Sequence, residues 1–495
     1  MRSEPLGAQS SHWTIAAADQ AFLIGVGLLT LFHFVLSAYL PPAEDELYYW
    51  TWAQSLQGSY FDHPPLVAYL IRLSTTIFGN SLFGIRFFSC LGGFFILLAL
   101  RHLTRRTQVL TYLLFTPMVL VGSVLMTPDT PLLFFWACYL LWVTGINRPL
   151  NQWSDDPVSR AYHKSPIPAA YWALGGALLG LGFLGKYSMA LAVPCSFLAL
   201  ATKHRARGWL GGYVLHLVVA ALVATPVIYF NVTHHFVSFQ FQWNNAMSGA
   251  GGFSTGRLFE FLGSQVLLLG ALPLLMFPWV LVNRAELGDD NDLHVCYYFF
   301  VFPFIFFLFQ SLRTKLEANW ALVCYLAFWP MAQRLLDRSS FRTLGKGFVF
   351  VSFLVPLIVS AGLLVHIVIP IKAVPPKKDR LTRMHSEFAL SKEIAADLKA
   401  HPLPAYFPSY QWTSYLRYQG IAAEQLYPPG RASQFTLSMK PPCLENQIVY
   451  FADTPEAKSA ENTLSCFPKK ELLKTYPLVV RGLTVDTYYL IRYSK

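Results

Sequence analysis

The feature that most constrains this chain is the recurrence of apolar runs long enough to cross a bilayer. Runs of roughly 17 to 25 residues cover a ~30 Å hydrocarbon core. They occur near 18–40, 82–100, 108–126, 131–147, 168–184, 186–202, 208–230, 257–283, 293–312, 317–335 and 345–371. The pattern predicts a polytopic α-helical membrane protein with about eleven spans, the end of each run being fixed only to within several residues. The balance of residue types agrees: 54% of the 495 residues are hydrophobic and 13% are charged, against about 25% charge in a soluble domain. The first run reads as a retained anchor rather than a signal peptide. It is long, its amino-terminal flank carries only Arg2, and another hydrophobic segment follows.

Charge placement supplies an orientation, because Lys and Arg in short loops stay cytoplasmic. Alternate loops carry Arg101, Arg105 and Arg106; Arg148, Arg160 and Lys164; Lys203, Arg205 and Arg207; Arg284; and Arg334, Arg338, Arg342 and Lys346. This puts the amino terminus inside and, with an odd span count, the carboxyl terminus outside. The expected location is the bacterial inner membrane, with the motif-bearing loops and the tail facing the periplasm. The net charge of +11 is then mostly topological. No Lys/Arg run with interleaved aromatics is present, so nucleic acid is not expected as a partner. Cys90, Cys138, Cys195, Cys296 and Cys324 fall in apolar runs, which leaves Cys443 and Cys466 in the polar tail, 23 residues apart. In an extracytoplasmic space this pair is expected to form a disulfide. No CxxC or Cys/His metal spacing occurs.

Two domains are expected: a transmembrane domain over 1–374 and an extracytoplasmic α/β domain over 375–495, opened by "PPKKDR". In the tail, "RLTRMHSEFALSKEIAADLKA" and "YQWTSYLRY" read as helices, "NQIVYFAD" as a strand, and "YPLVV" with "VDTYYLIRYS" as a closing hairpin. The first outer loop, 43–80, is too polar to span. "EDELYYWTWAQSLQ" puts Asp45, Tyr48, Tyr49 and Trp52 on one helical face, as in a helix lying in the membrane interface. "DHPP" then stops the chain, and Pro64 and Pro65 start a second, shorter amphipathic helix.

On this reading acids and cations share the outer face: Asp45, Asp62, Asp129 in "TPDTP" and Glu317 in "KLEANW", beside His63, Lys186, Arg257, Arg313 and Lys315. Such a set suits transfer chemistry on an anionic lipid, with a carboxylate to receive a hydroxyl proton and cations to hold phosphate. Plainer roles stand beside it. Asp45 can serve as a helix-start acid, Lys186 as a snorkelling lysine, Lys315 and Glu317 as a loop ion pair, His234 and His235 as ordinary loop residues, and the aromatic stripe as a membrane anchor.

Asp45-Glu46, "YFDHPP", "TPDTPLLFF", "LGFLGKYS" and "LEANW", in that order over about residues 20 to 330, resemble the bacterial GT-C class integral-membrane glycosyltransferases, relatives of protein O-mannosyltransferases and lipid A aminoarabinose transferases. "YQWTSYLRY" and "GRASQF" extend the resemblance into the tail. The resemblance implies that Asp45, the first acid of the Asp45-Glu46 pair, is catalytic and that Asp129 supports the same cavity. Where aminoarabinose transferases carry a lysine near the donor phosphate this chain has His63, and where they tend to carry an arginine it has Tyr48. The implied partners are a polyprenyl-phosphate sugar donor, membrane lipid, and an acceptor that is lipid A or lipopolysaccharide, a surface glycan or a protein. No cofactor is required, and a divalent metal is left open.

Elementary chemistry agrees with that implication. A polyprenyl phosphate already leaves well, so fixed positive charge around it is worth more than a general acid. Direct displacement by an acceptor hydroxyl, with Asp45 as base, inverts the anomeric centre. Tyr48 and Trp52 are candidates to face the sugar. A polytopic lipid or solute transporter is the alternative, and a non-catalytic scaffold is a second one. Transporters place ionisable residues at mid-membrane in broken helices, whereas the second to fourth runs carry little charge between their ends.

Overall fold

The structure is a computed structural model that describes residues 7–104, 106–147, 167–203, 209–247, 252–337 and 344–495. Arg105, Arg148, Arg160, Lys164, Arg205, Arg207, Arg338 and Arg342, used above for orientation, lie outside the described residues. The chain forms two compact units. One comprises Met1–Ser37, His63–Val67 and Arg86–Leu363; the other comprises Ala38–Asp62, Ala68–Ile85 and Leu364–Lys495. The first outer loop therefore belongs largely with the tail, and a single cut in the sequence does not separate the two.

The first unit is a helical membrane bundle. Among the described residues five helices are long and apolar enough to span: Ala17–Tyr39, Leu82–Leu103, Asp129–Ile146, Asn291–Arg313 and Gly347–Val368. Two bent pairs raise the number to seven if each counts as one span. Apolar length alone overestimates continuity here, and three of the expected runs show why. The 257–283 run breaks into Thr255–Leu269 and Leu272–Val282, which meet at 105°. Gly270 sits at the break with φ +97°, and a Cβ there would lie 2.8 Å from Ser352 O. The 208–230 run bends by 54° between Trp209–Val223 and Thr225–Thr233, where Pro226 opens the second helix.

The 108–126 run is not one helix but Gln108–Leu113, Pro117–Leu120 and a 3-10 turn, Gly122–Val124. Pro117 lacks the N–H that would continue the first helix. The carbonyls freed by the interruption find partners on other segments: His33 Nε2 lies 3.1 Å from Leu120 O, and the Ser89 hydroxyl lies 2.8 Å from both Ser123 O and Leu125 O. Irregular backbone is tolerated at membrane depth only when its polar groups are satisfied in this way.

In the second unit the tail folds as the pattern predicts. Helices form at Arg380–Ala400 and Tyr410–Tyr418. Five strands accompany them, the first lying between the two helices: β1 (Ala405–Phe407), β2 (Ala423–Gln425), β3 (Gln447–Ala452), β4 (Lys469–Val480) and β5 (Leu483–Ser494). They make one sheet in the order β2-β1-β3-β5-β4. β1 runs parallel to β2 and β3, whereas β5 pairs antiparallel with β3 and β4. One face of the sheet packs Tyr406, Leu426, Ile448, Tyr450, Ile491 and Tyr493 into a core. Cys443 and Cys466 are joined as a disulfide.

The Glu44–Gln54 helix is enclosed by this unit. Every residue from Glu46 to Ala53 is buried, so the aromatic stripe expected to rest in the membrane interface is a packing surface instead. Tyr415 donates to Pro42 O (3.4 Å), Trp50 Nε1 donates to Asn80 Oδ1 (3.2 Å), and the Tyr48 and Tyr410 rings lie 4.6 Å apart. The Leu66–Phe78 helix after the two prolines is the amphipathic element expected. Leu73 and Ile77 are exposed on it, while Val67, Ala68 and Ile71 are buried.

Candidate active site

In the second unit, Asp45 lies in the first turn of the Glu44–Gln54 helix and is exposed. Tyr410 donates its hydroxyl to Asp45 Oδ1 at 2.8 Å. No described residue donates to Oδ2. Glu46, the adjacent member of the acidic pair, does not join Asp45. It is wholly buried and turns back to accept the Ala43 N–H at 2.9 Å, capping the helix.

Asp62 lies beside this arrangement, and its side chain is only 5% exposed. Its Oδ2 accepts the Tyr48 hydroxyl at 2.6 Å, and its Oδ1 accepts Arg431 Nη1 at 2.6 Å. Tyr48 in turn accepts the Gln434 N–H at 2.6 Å. Burial raises the Asp62 carboxyl above the usual carboxylate range, and Arg431 and Tyr48 pull against it. Burial and the neighbouring Asp62 charge push the Tyr48 phenol well up, so it remains a donor. The Arg431 guanidinium stacks on the Tyr410 ring at 4.2 Å. Tyr410 thus holds Asp45 with its hydroxyl and Arg431 with its face.

Trp52 is 2% exposed and stacks on Tyr60 at 4.4 Å, which makes it core rather than a sugar platform. The loop that carries Arg431 is fixed by Gln425 of β2, whose Nε2 donates to Arg431 O at 2.8 Å and whose Oε1 accepts the Ser433 hydroxyl. Gly430 starts that loop at φ +86°, where a Cβ would lie 2.5 Å from Pro408 O, so only glycine fits.

In the first unit a second carboxylate gathers three of the quoted motifs. Asp129 opens the Asp129–Asn147 helix; its Oδ1 pairs with Lys186 Nζ at 2.7 Å and its Oδ2 accepts Asn319 Nδ2 at 2.7 Å. Lys186 also sits 5.7 Å over the Trp320 ring. "TPDTP", "GKYS" and "EANW" meet here, and Lys186 is a buried partner rather than a snorkelling one: its side chain is 11% exposed and that of Asp129 10%. His63, next to Asp62 in sequence, lies with the first unit, with Nδ1 3.4 Å from Gln242 Nε2.

The other predicted residues do not join this carboxylate. Arg257 turns to the backbone, donating to Leu312 O at 3.3 Å and to Gly252 O. Arg313 is half-buried at the end of the Asn291–Arg313 helix. Lys315 and Glu317 are exposed and do not pair with each other. Among the described residues no cluster of three or more His, Cys, Asp or Glu side chains is arranged to hold a metal.

Sequence reasoning missed Tyr410, Arg431 and Gln434. The available signal was weak but present, since "YQWTSYLRY" and "GRASQF" stood out as motifs without an assigned task.

Comparison with known proteins places the architecture. The chain matches the crystal structure of ArnT from Cupriavidus metallidurans bound to undecaprenyl phosphate, with a TM-score of 0.63 and 16% identity, covering 96% of this chain and 98% of that one. The chain has the GT-C fold. A more distant structural match is the oligosaccharyltransferase of Archaeoglobus fulgidus, solved with Zn and sulfate, at a TM-score of 0.50 and 14% identity, covering 80% of this chain and 61% of that one. Residues 62–154 match the family model described as dolichyl-phosphate-mannose-protein mannosyltransferase. In sequence, the chain is 28% identical over 302 residues to the lipid A galacturonosyltransferase RgtD of Rhizobium johnstonii, covering 59% of this chain. The match spans 60% of that relative's length. With its several apolar helices, the protein is a multi-pass membrane protein.

Proposed function

We propose that this protein is a glycosyltransferase of the outer face of the bacterial inner membrane. It moves a sugar from a polyprenyl-phosphate donor to a glycolipid acceptor of the lipid A class, with Asp45 as the catalytic base. The observation that carries this reading is the state of Asp45: an exposed carboxylate whose Oδ1 is fixed by Tyr410 while Oδ2 meets no described donor. The reaction needs such a group. The acceptor hydroxyl gives its proton to Asp45 as its oxygen attacks the anomeric carbon; the bond from that carbon to the phosphate oxygen breaks, and the configuration inverts. The likeness to a lipid A galacturonosyltransferase and to an ArnT holding undecaprenyl phosphate supports the acceptor and donor classes.

Asp62 serves as a positioning residue, because both of its oxygens are engaged within the protein. Asp129 with Lys186 and Asn319 serves to hold the loops of the membrane domain together. The unit of Ala38–Asp62, Ala68–Ile85 and Leu364–Lys495 carries both Asp45 and the Tyr410 that holds it, so the tail acts as an extracytoplasmic part of the catalytic group rather than as a separate appendage. The test is transfer by the purified full-length protein from undecaprenyl-phosphate-linked sugar to lipid A, read by mass spectrometry. Asp45→Asn is expected to lower turnover by roughly 100-fold or more, as for loss of a general base, while expression and thermal stability stay at wild-type levels. Undiminished transfer by Asp45→Asn would remove the residue from the mechanism.

A further inference from the structure

We propose that Arg431 is the receptor for an oxyanion of the sugar donor, either its phosphate or the carboxylate of a uronic sugar. The proposal rests on the transferase reading above and adds a binding residue to it. The geometry is that of a preorganised cation. Asp62 is almost wholly buried, yet it pairs with an arginine whose side chain is 41% exposed. A buried carboxylate opposes folding unless it is paired, and Arg431 supplies that partner while part of its side chain stays at the surface. The pairing that compensates Asp62 therefore also holds the guanidinium as a mount.

Asp62 fixes one edge of the guanidinium at 2.6 Å, the Tyr410 ring fixes its plane at 4.2 Å, and Gln425 fixes the backbone that carries it. A planar guanidinium held in this way matches phosphate and carboxylate alike. Arg431 Nη1 also donates to Ala432 O at 3.3 Å, whereas Arg380 pairs with Glu44 at 2.9 Å, and Arg417 donates to Ala423 O at 2.7 Å and to Glu424 at 3.2 Å. Because Tyr410 also holds Asp45 at 2.8 Å, the base and the anion receptor share one frame.

The test reads binding, not turnover, in the purified full-length protein. Undecaprenyl phosphate is titrated by intrinsic tryptophan fluorescence, and free galacturonate and galactose are compared as competitors. If the bound group is phosphate, Arg431→Gln weakens undecaprenyl phosphate binding tenfold or more, and Arg431→Lys weakens it less. If it is a sugar carboxylate, undecaprenyl phosphate binding holds, and the advantage of galacturonate over galactose seen in the wild type disappears.

The double variant Asp62→Asn/Arg431→Gln leaves no buried carboxylate unpaired and guards against simple misfolding. It should fold and show the same binding loss. Wild-type binding of all three probes by a folded Arg431→Gln or double variant overturns the proposal. A protein that binds the probes through Arg431 but transfers no sugar would defeat the transferase reading and leave this one standing.

Discussion

Tyr410 joins the proposed base to Arg431, since its hydroxyl holds Asp45 and its ring carries Arg431. Removing that hydroxyl should leave the ring contact and the packing against Tyr48 in place while releasing the carboxylate. A misplaced base that raises the barrier by about 1.4 kcal/mol slows the reaction tenfold, so Tyr410→Phe is expected to lower kcat by about tenfold or more, while loss of the hydrogen bond lowers the unfolding midpoint only modestly. An unchanged kcat would show that Asp45 needs no positioning by Tyr410.

Asp62 makes a prediction of another kind. Burial raises its carboxyl in the folded state, so the folded protein holds that proton more tightly than the unfolded chain does. The contribution to stability is present at low pH and is lost as pH rises through the raised pKa. Relative to Asp62→Asn, the wild-type unfolding midpoint should therefore fall as pH climbs from about 4 towards neutrality; a constant difference would argue against the shift. Asp45, Tyr48 and Asp62 were legible in the sequence because they lie close together in a polar loop between apolar runs. Tyr410 and Arg431 were not, because they lie more than 360 residues further along, and no local period or spacing encodes a contact at that separation.

At the scale of elements, helices and strands were legible wherever one period ran without interruption. The Arg380–Ala400 helix falls where its pattern placed it, and the β4–β5 hairpin is the expected one, with β4 starting at Lys469, ahead of the quoted "YPLVV". Apolar length misled at 108–126 and 257–283, where Pro117 and Gly270 break runs that hydropathy alone joins. The aromatic helix misled in a different way. A stripe of Tyr and Trp looks the same whether its partner is lipid or the Tyr410–Tyr418 helix, and only the fold decides.

The Asp129 node ties three elements at their ends: the start of the Asp129–Asn147 helix, the end of the Ala169–Gly185 helix and the 3-10 turn Ala318–Ala321. Lys186→Ala would leave a nearly buried carboxylate with only Asn319, at a cost of about 3–5 kcal/mol. The paired change Asp129→Leu/Lys186→Met removes both charges and should cost less than either single charge deletion. Thermal unfolding of the detergent-solubilised variants checks this, and additive single and double effects would show that the two residues are uncoupled.

For the whole molecule, orientation decides whether the assigned chemistry is possible at all, because a lipid A acceptor and an oxidised cysteine pair both require the extracytoplasmic side. The Arg- and Lys-bearing loops argue for it, and so does the Cys443–Cys466 disulfide, since such bonds persist in oxidising compartments. The two arguments are independent: one rests on charge next to apolar segments, the other on redox chemistry in the tail. Reporter fusions near residues 203 and 284 should read cytoplasmic, and fusions near 240 and at 495 external. In intact cells Cys443 and Cys466 should resist alkylation until reduced, whereas thiols facing the cytoplasm would label at once. Closing a 23-residue separation contributes about 3 kcal/mol in the chain-entropy model, so reduction should also lower the unfolding midpoint of the β-sheet unit. If the fusion at 495 reads cytoplasmic and both thiols label before reduction, Asp45 and Tyr410 face the wrong compartment for a lipid A acceptor, and the transferase reading falls with the orientation.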